Sequence, residues 1–374
     1  MVYRHSFGDL RTGQILEEYL VDGMTWARPL NDAGTAAGEL NLEDADVRAS
    51  NPRLTCAPAR SFWMIEWDSV PVWGGIVWTH RYSRKPKRRL KITGAGFWSL
   101  LDHRKALAAL TYGQAPAAAA DLTFSGISLP TQAKRLVQAA MAHTGGDAPI
   151  RMPADVAGTS VRTYPSYNLS WIGDLLSNLT QVEDGPDVEF GIERVPDNEA
   201  FVRFVMRIGD PLLEQTGASW LFDDTVPEGP VVDLAVDTDG TKMGTRAWVP
   251  GEGQERDMLL GLHEEPELVT AGYPLLEVED TTHKTTSDPI TLDLHAWDLA
   301  QRRSRPVEQW SLTVAADAPD ATLGQYLPGD AALVAIEGDG YIPDGEHAVR
   351  IIGMSGGSSS TDVKLELAPQ TGTL

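Results

Sequence analysis

Two short stretches of this 374-residue chain have the residue types and spacing of enzyme nucleophile loops. Asp237-Thr238-Asp239-Gly240-Thr241 follows the apolar run Val231 to Val236. In that pattern a first aspartate attacks phosphorus, a second acts as acid and base, and magnesium bridges them. The chemistry wants a helix next and a later acidic pair for the metal. A second strand pattern, Lys242 to Val249, follows instead, so a hairpin turn at Asp239-Gly240 accounts for the stretch with fewer assumptions. Gly353-Met354-Ser355-Gly356-Gly357 fits the G-x-S-x-G elbow, which exposes a serine at a strand-to-helix turn. Here a Ser-rich loop and another strand follow it, and no histidine lies downstream to act as base, so a flexible hairpin loop is expected.

Metal chemistry finds no better footing. His263-Glu264-Glu265 lacks the second histidine of a zinc-binding helix face, and the eight histidines are scattered without ligand spacing. Asp237 and Asp239 do not extend into a calcium loop, because Ala235 and Arg246 stand where carboxylates are needed. The single cysteine, Cys56, leaves no intramolecular disulfide and reads as a packing residue. The sequons at Asn168 and Asn178 carry no meaning in a chain without a signal-peptide core, which is expected to fold in a cytoplasm. No catalytic, cofactor-binding or metal residue is therefore expected, and no cofactor.

Charge carries more information. The formal net charge is −22, which argues against a surface that binds nucleic acid but suits a channel along which DNA slides without adsorbing. Against that background the run Arg81 to Lys91 holds seven Lys or Arg. It reads as a solvated strand turn and, in so acidic a chain, as a docking site for an acidic face of a neighbour. Between Glu252 and Asp280 nine acidic residues face one arginine, read as a solvated face. No run is long and apolar enough for a membrane helix, and no membrane insertion is expected.

The elements that must position these residues are mostly strands. Ser61 to Trp67 and Val72 to Tyr82 form a hairpin turning at Asp68-Ser69-Val70-Pro71, with Trp63, Trp67, Trp73 and Trp78 clustered in it. Gly74-Gly75 marks a bulge or a close backbone approach. Arg89 to Thr93 is a third strand, and Phe97, Trp98, Leu100 and Leu101 fit a short helix. The alanine-rich Ala106 to Ala120 reads as a connection. Beyond it the period becomes helical, with Thr131 as N-cap, apolar Ala133, Leu136, Val137, Ala140 and Met141, and a stop at Gly145-Gly146. A second helix carries Ile172, Leu175, Leu176 and Leu179 on one stripe; the hairpin Asp187 to Arg194 and Glu199 to Ile208 follows. Ser287-Asp288-Pro289 starts a later helix whose expected buried side is Ile290, Leu294 and Trp297. A closing meander runs through Gln309 to Val314, Ala331 to Ile336, His347 to Ile352 and Asp362 to Leu367.

In order and spacing these signatures resemble the minor tail proteins of siphophages that infect actinobacteria. The carrying residues are Tyr3-Arg4, Gly8-Asp9-Leu10-Arg11-Thr12-Gly13, Leu30-Asn31 with Gly34 and Gly38-Glu39-Leu40, Val72-Trp73-Gly74-Gly75-Ile76-Val77-Trp78, Leu90-Lys91-Ile92-Thr93-Gly94, Phe97-Trp98-Ser99 and His103-Arg104. Later come Asp239-Gly240-Thr241-Lys242-Met243 with Arg246, Gly272-Tyr273-Pro274-Leu275-Leu276-Glu277, and Gly329-Asp330 through Val349-Arg350-Ile351-Ile352-Gly353. The match spans most of the chain and is densest over residues 1–105.

The resemblance implies a baseplate-hub protein in which two related β-barrel domains per chain assemble as a homotrimer with pseudo-sixfold symmetry. The expected fold is mixed and β-rich: a hub-type barrel at 1–108, an α+β domain at 109–228 with two helices and a hairpin, and a hub-type domain at 229–374 with one helix. The expected function is structural and not enzymatic. It is a tail-tip hub of the virion, made in the host bacterial cytoplasm, that joins the sixfold tail tube or distal tail ring to tip proteins around the DNA exit channel. Its expected partners are further copies of itself, the distal tail protein ring, the tape-measure protein and other minor tail proteins. A second reading, adhesion to host cell-wall glycan, would use exposed aromatic residues. A third, a tip-associated hydrolase or phosphatase, would use Asp237.

Overall fold

The computed structural model describes residues 3–109, 121–227, 229–319 and 321–370. The connection expected over Ala106 to Ala120 lies largely outside the described residues. The chain is mixed and β-rich, as expected, and its contacts divide it into two units. One comprises Met1–Leu234 with Ser311–Leu374; the other is Ala235–Trp310. The three segments read from the sequence run across this division: 1–108 and 109–228 both fall in the first unit, and 229–374 is shared.

The first unit is built on antiparallel pairing. Strand Tyr3–Asp9 pairs with Ser61–Trp67 from Tyr3↔Trp67 to Asp9↔Ser61, and Ser61–Trp67 pairs in turn with Val70–Ser83. The turn between the last two is shorter than expected. Trp67 faces Val70, leaving a two-residue loop whose Asp68 and Ser69 both have positive φ, 47° and 67°, the twist that suits a tight hairpin. Every residue of Ser61–Trp67 is buried, so the strand is covered on both faces. Phe62 and Met64 join a core with Leu136, Ile172, Leu176 and Phe204, from the helices and hairpin of residues 129–208. On the other face Trp63 stacks on Phe7, centroids 5.4 Å apart, and meets Trp73 edge-on at 5.8 Å.

Glycines let the layers approach. A Cβ on Gly74 would lie 2.3 Å from Ile192 Cγ2, and one on Gly75 would lie 2.2 Å from the Ala95 carbonyl, so the pair marks close packing. The register shifts occur nearby, between Ile65 and Glu66 and between Val77 and Thr79. Strand Arg89–Gly96 runs three residues beyond the expected end, since its glycines do not interrupt the pairing with Val70–Ser83.

Helix Leu129–Met141 starts before the expected cap. Ser128 accepts from the Thr131 amide at 3.3 Å, with Pro130 in the first turn. The hairpin of Val188–Val195 and Asn198–Ile208 forms as read.

The far end of the chain returns to its beginning. Strand Gly345–Gly357 pairs with Ala331–Ile336 and Asp362–Pro369, and its last residues join Asp22–Pro29 from Gly353↔Pro29 to Gly357↔Thr25. This antiparallel ladder is why residues 311–374 belong with 1–234. The Gly353-Met354-Ser355-Gly356-Gly357 stretch, expected as a loop, is therefore an internal strand. Gly356 lies flat against the Trp26 ring, where a Cβ would come within 3.1 Å.

The second unit is small. Arg246–Pro250 pairs antiparallel with Leu260–Glu264 and parallel with Glu277–Glu279, and helix Pro289–Arg303 covers one face. The hairpin expected at Asp239-Gly240 does not form: Val231–Asp239 neighbours Val307–Ala315 in sheet order, not Arg246–Pro250.

Candidate interaction surfaces

The residues with candidate chemistry are not brought together. Asp237 and Asp239 are exposed at a strand end, where the Thr241 side chain and then the Thr241 amide, 2.8 Å away, hold the Asp239 carboxyl below the usual range. Ser355 is paired on both sides, with Ala27 and Lys364, so its backbone has no strained turn to present it. His263 bonds Glu265 at 3.1 Å, and His283 stacks on His295 with centroids 3.7 Å apart. Among the described residues no group of three or more His, Cys, Asp or Glu is placed to hold a metal, and no helix is long and apolar enough to cross a membrane. Cys56 is buried, and burial pushes its thiol up to about 12, far from a reactive thiolate.

What the fold does assemble is a set of buried ion pairs joining distant parts of the first unit. Arg28 donates to Glu189 at 2.7 Å and to the Val72 carbonyl at 3.0 Å, and Glu189 is almost wholly enclosed. Arg194 grips fully buried Glu66 with two of its nitrogens, Nε at 2.7 Å and Nη2 at 2.6 Å. Arg350 pairs with Asp187, and Arg207 bridges Glu189 and Asp330. Strand Asn198–Ile208 and strand Val188–Val195 are thereby tied to the N-terminal sheet and to the returning C-terminal strands. Bidentate Arg–carboxylate pairs in low dielectric fix geometry, and losing one member leaves an uncompensated charge. Burial raises the Glu18 carboxyl, but bonds from Arg4 and Arg194 outweigh it and leave it depressed. No local periodicity announced this network, since each partner sits on a different element.

Two surfaces face outward with unusual composition. The basic run occupies the end of the Val70–Ser83 and Arg89–Gly96 hairpin, beside a groove of about 670 Å³ lined by Leu42, Pro52, His80, Tyr82 and Leu90, with Arg48 and Arg53 at its edge. Arg89 pairs with Asp22 at 2.7 Å; Arg48, Arg53, Arg81, Arg84, Lys85 and Lys87 lie in no ion pair among the described residues.

The second surface is on the smaller unit. Helix Pro289–Arg303 buries Leu292, Ala296, Leu299 and Ala300, while Ile290, Leu294 and Trp297 are 71%, 62% and 50% exposed. The expected buried side is thus the outer one. Both stripes have helical spacing; the sheet selects the smaller residues because it approaches closely, at Gly251 and Gly261, where a Cβ would lie 2.4 Å from atoms of Leu292. On the sheet's other face Leu260 and Leu262 are exposed beside Arg246, which pairs with Glu264 at 2.6 Å and Glu277 at 3.3 Å.

No protein-family model and no curated protein matches this chain. Solved structures do. A 43 kDa tail protein of prophage MuSo2 from Shewanella oneidensis is 12% identical, with 98% of each chain covered and a TM-score of 0.60. A tail protein from Neisseria meningitidis MC58 is 13% identical, covering 99% of this chain and 97% of that one, with a TM-score of 0.57. Over nearly its whole length, this chain therefore shares its fold with two tail proteins.

Proposed function

We propose that the chain is a structural component of a bacteriophage tail, and more specifically a homotrimeric hub at the tail tip. In this role it joins the distal tail ring to tip proteins and surrounds the path of the DNA. The observation that carries the reading is the end-to-end likeness to two tail proteins, with no large part of the chain left over for another task. The first unit supplies the rigid frame, because its ion pairs and its C-to-N-terminal strand ladder hold the geometry a ring needs. The charge of −22 per chain suits a lumen that repels DNA. The proposal includes no catalysis. The closer resemblance to tail proteins of actinobacterial siphophages belongs to the proposal as well.

The glycan-adhesion reading would need its aromatic cluster at the surface, yet Trp63, Trp67 and Trp73 are buried and Trp78 is half-buried, donating to Ser99 at 2.7 Å. Light scattering across a concentration series at moderate salt tests the hub. A mass near three subunits is expected. A chain that stays monomeric at every concentration and does not bind a distal tail ring contradicts it.

A further inference from the structure

We propose that copies of this chain dock head to tail, with the outer stripe of helix Pro289–Arg303 from one copy seated in the basic groove beside the Arg81–Lys91 hairpin of the next. The inference deepens the hub reading and rests on it. Three observations carry it. First, Ile290, Leu294 and Trp297 recur at helix spacing on one line and stand open to solvent, the anchor pattern by which a helix lies in a groove. Second, Asp293 and Asp298 are exposed on either side of that line; Asp298 is paired with Arg302 at 2.7 Å, while Asp293 borders the stripe in no ion pair among the described residues. Third, the groove has the reverse character: an apolar floor including Leu42, Tyr82 and Leu90, and cations at its edge and on the adjoining hairpin without carboxylate partners.

The neighbouring acids Glu43, Asp44 and Asp46 form no ion pair with those cations among the described residues. Asp44 caps the helix Ala45–Ala49, accepting from the Asp46 amide, and Glu43 accepts from the Arg88 amide at 2.9 Å. Arg48 uses one nitrogen on two backbone carbonyls, of Leu42 and Glu43, which orients its charge without neutralising it. In a chain of −22, two copies repel on average, so a stable contact needs a patch where opposite charge is concentrated. The basic groove and the outer stripe are such a pair, because the stripe is carried on a unit, Ala235–Trp310, with fifteen acidic residues against seven Lys or Arg. Because the two surfaces differ, the contact is heterologous, the kind that generates a ring when the rotation closes.

Complementation between variants of the full chain tests this. Leu294→Ser with Trp297→Ser disables the helix side, and Arg53→Glu with Arg84→Glu disables the groove side. All four residues are exposed, so each double variant should keep its circular dichroism and melting curve. Each alone is expected to be at least tenfold weaker in self-association than the unaltered chain. An equimolar mixture should recover one sound junction and stop at 1:1 pairs.

If the unaltered chain forms three-subunit rings and both variants do so equally well, the docking is wrong while the hub reading stands. If the unaltered chain is monomeric, a second experiment decides. Tyr82→Cys with Trp297→Cys in one chain should give a ladder of disulfide-linked multimers on mild oxidation, each single variant giving dimers at most; Cys56 is buried and silent. A ladder supports the docking while removing a stable free ring from the account. Cross-links no more extensive than those of the single variants, or confined within one chain, overturn the docking.

Discussion

The two units build their cores from different apolar residues. In the first, the core is built on large aromatic side chains, Trp63, Trp67, Phe7 and Phe62, although Tyr82, Tyr167, Trp171 and Tyr341 are exposed, and carboxylates that enter the core are paired there. In the second, the core is Ala247, Val249, Leu292, Ala296, Leu299 and Ala300, with Leu259 and Val278 packed against it, while larger residues such as Ile290, Leu294 and Trp297 face out. Its arginine pairs are on the surface, where a salt bridge contributes about 0–1 kcal/mol. A unit whose best hydrophobic anchors lie outside a thin core is organised for contact, and one whose anchors are inside is organised to hold shape.

The sharpest break of this contrast is at Arg194. Arg194→Ala leaves the Glu66 carboxylate fully enclosed without its bidentate partner and is expected to destabilise the first unit by about 3–5 kcal/mol. Denaturant unfolding followed by buried-tryptophan fluorescence reads this loss. A change below about 1 kcal/mol would mean the pair contributes little to the frame.

A smaller effect should come with acid. His5 is buried, and burial lowers its pKa from 6.5 to about 4, so the folded state holds it neutral. Between those values the unfolded chain binds the extra proton. Stability is therefore complete above pH 6.5, falls as the pH drops toward 4, and loses roughly 3 kcal/mol in all. Carboxylates such as Glu193, held low chiefly by its bond from Arg151, add their loss only below the ordinary glutamate range. Melting temperatures at pH 7 and pH 5 should converge in His5→Gln relative to the unaltered chain; an unchanged difference would clear His5 of the effect.

The smallest pair of effects lies on one helix. Leu292→Ala is expected to cost the second unit about 2–3 kcal/mol, because it opens a cavity beneath Gly251 and Gly261. Trp297→Ala, although it removes a larger side chain, should change stability by less than about 0.5 kcal/mol. Hydrogen exchange in the strands Arg246–Pro250 and Leu260–Glu264 separates the two, and equal costs would show that the outer stripe is covered within the chain.

Much of the strand content was legible because hairpins are local. The Ser61–Trp67 arm and the Val188–Val195 hairpin follow from alternating apolar residues and short turn signals. The join between Gly345–Gly357 and Asp22–Pro29 was not, since nothing near either strand names a partner so far away in sequence. Gly356 and Gly357 mimic a loop for the same reason: their missing side chains serve a neighbour, the Trp26 ring and the Met24 carbonyl, that only the fold reveals. At helix Pro289–Arg303 the period correctly gave a helix, but two stripes fit it, and the choice belonged to glycines on other strands. For the surfaces, the basic run was legible as a charge anomaly, whereas the groove beside it required Arg48 and Arg53 from separate short helices.

The most direct measurement is hydrogen exchange on the chain free in solution and on the chain within assembled tail particles. Assembly should bring new protection to helix Pro289–Arg303 and to the Val70–Ser83 and Arg89–Gly96 hairpin end, while Ser61–Trp67 stays as protected as before. Identical exchange in the two states across residues 235–310 would contradict the division between a frame that holds shape and a unit built for contact.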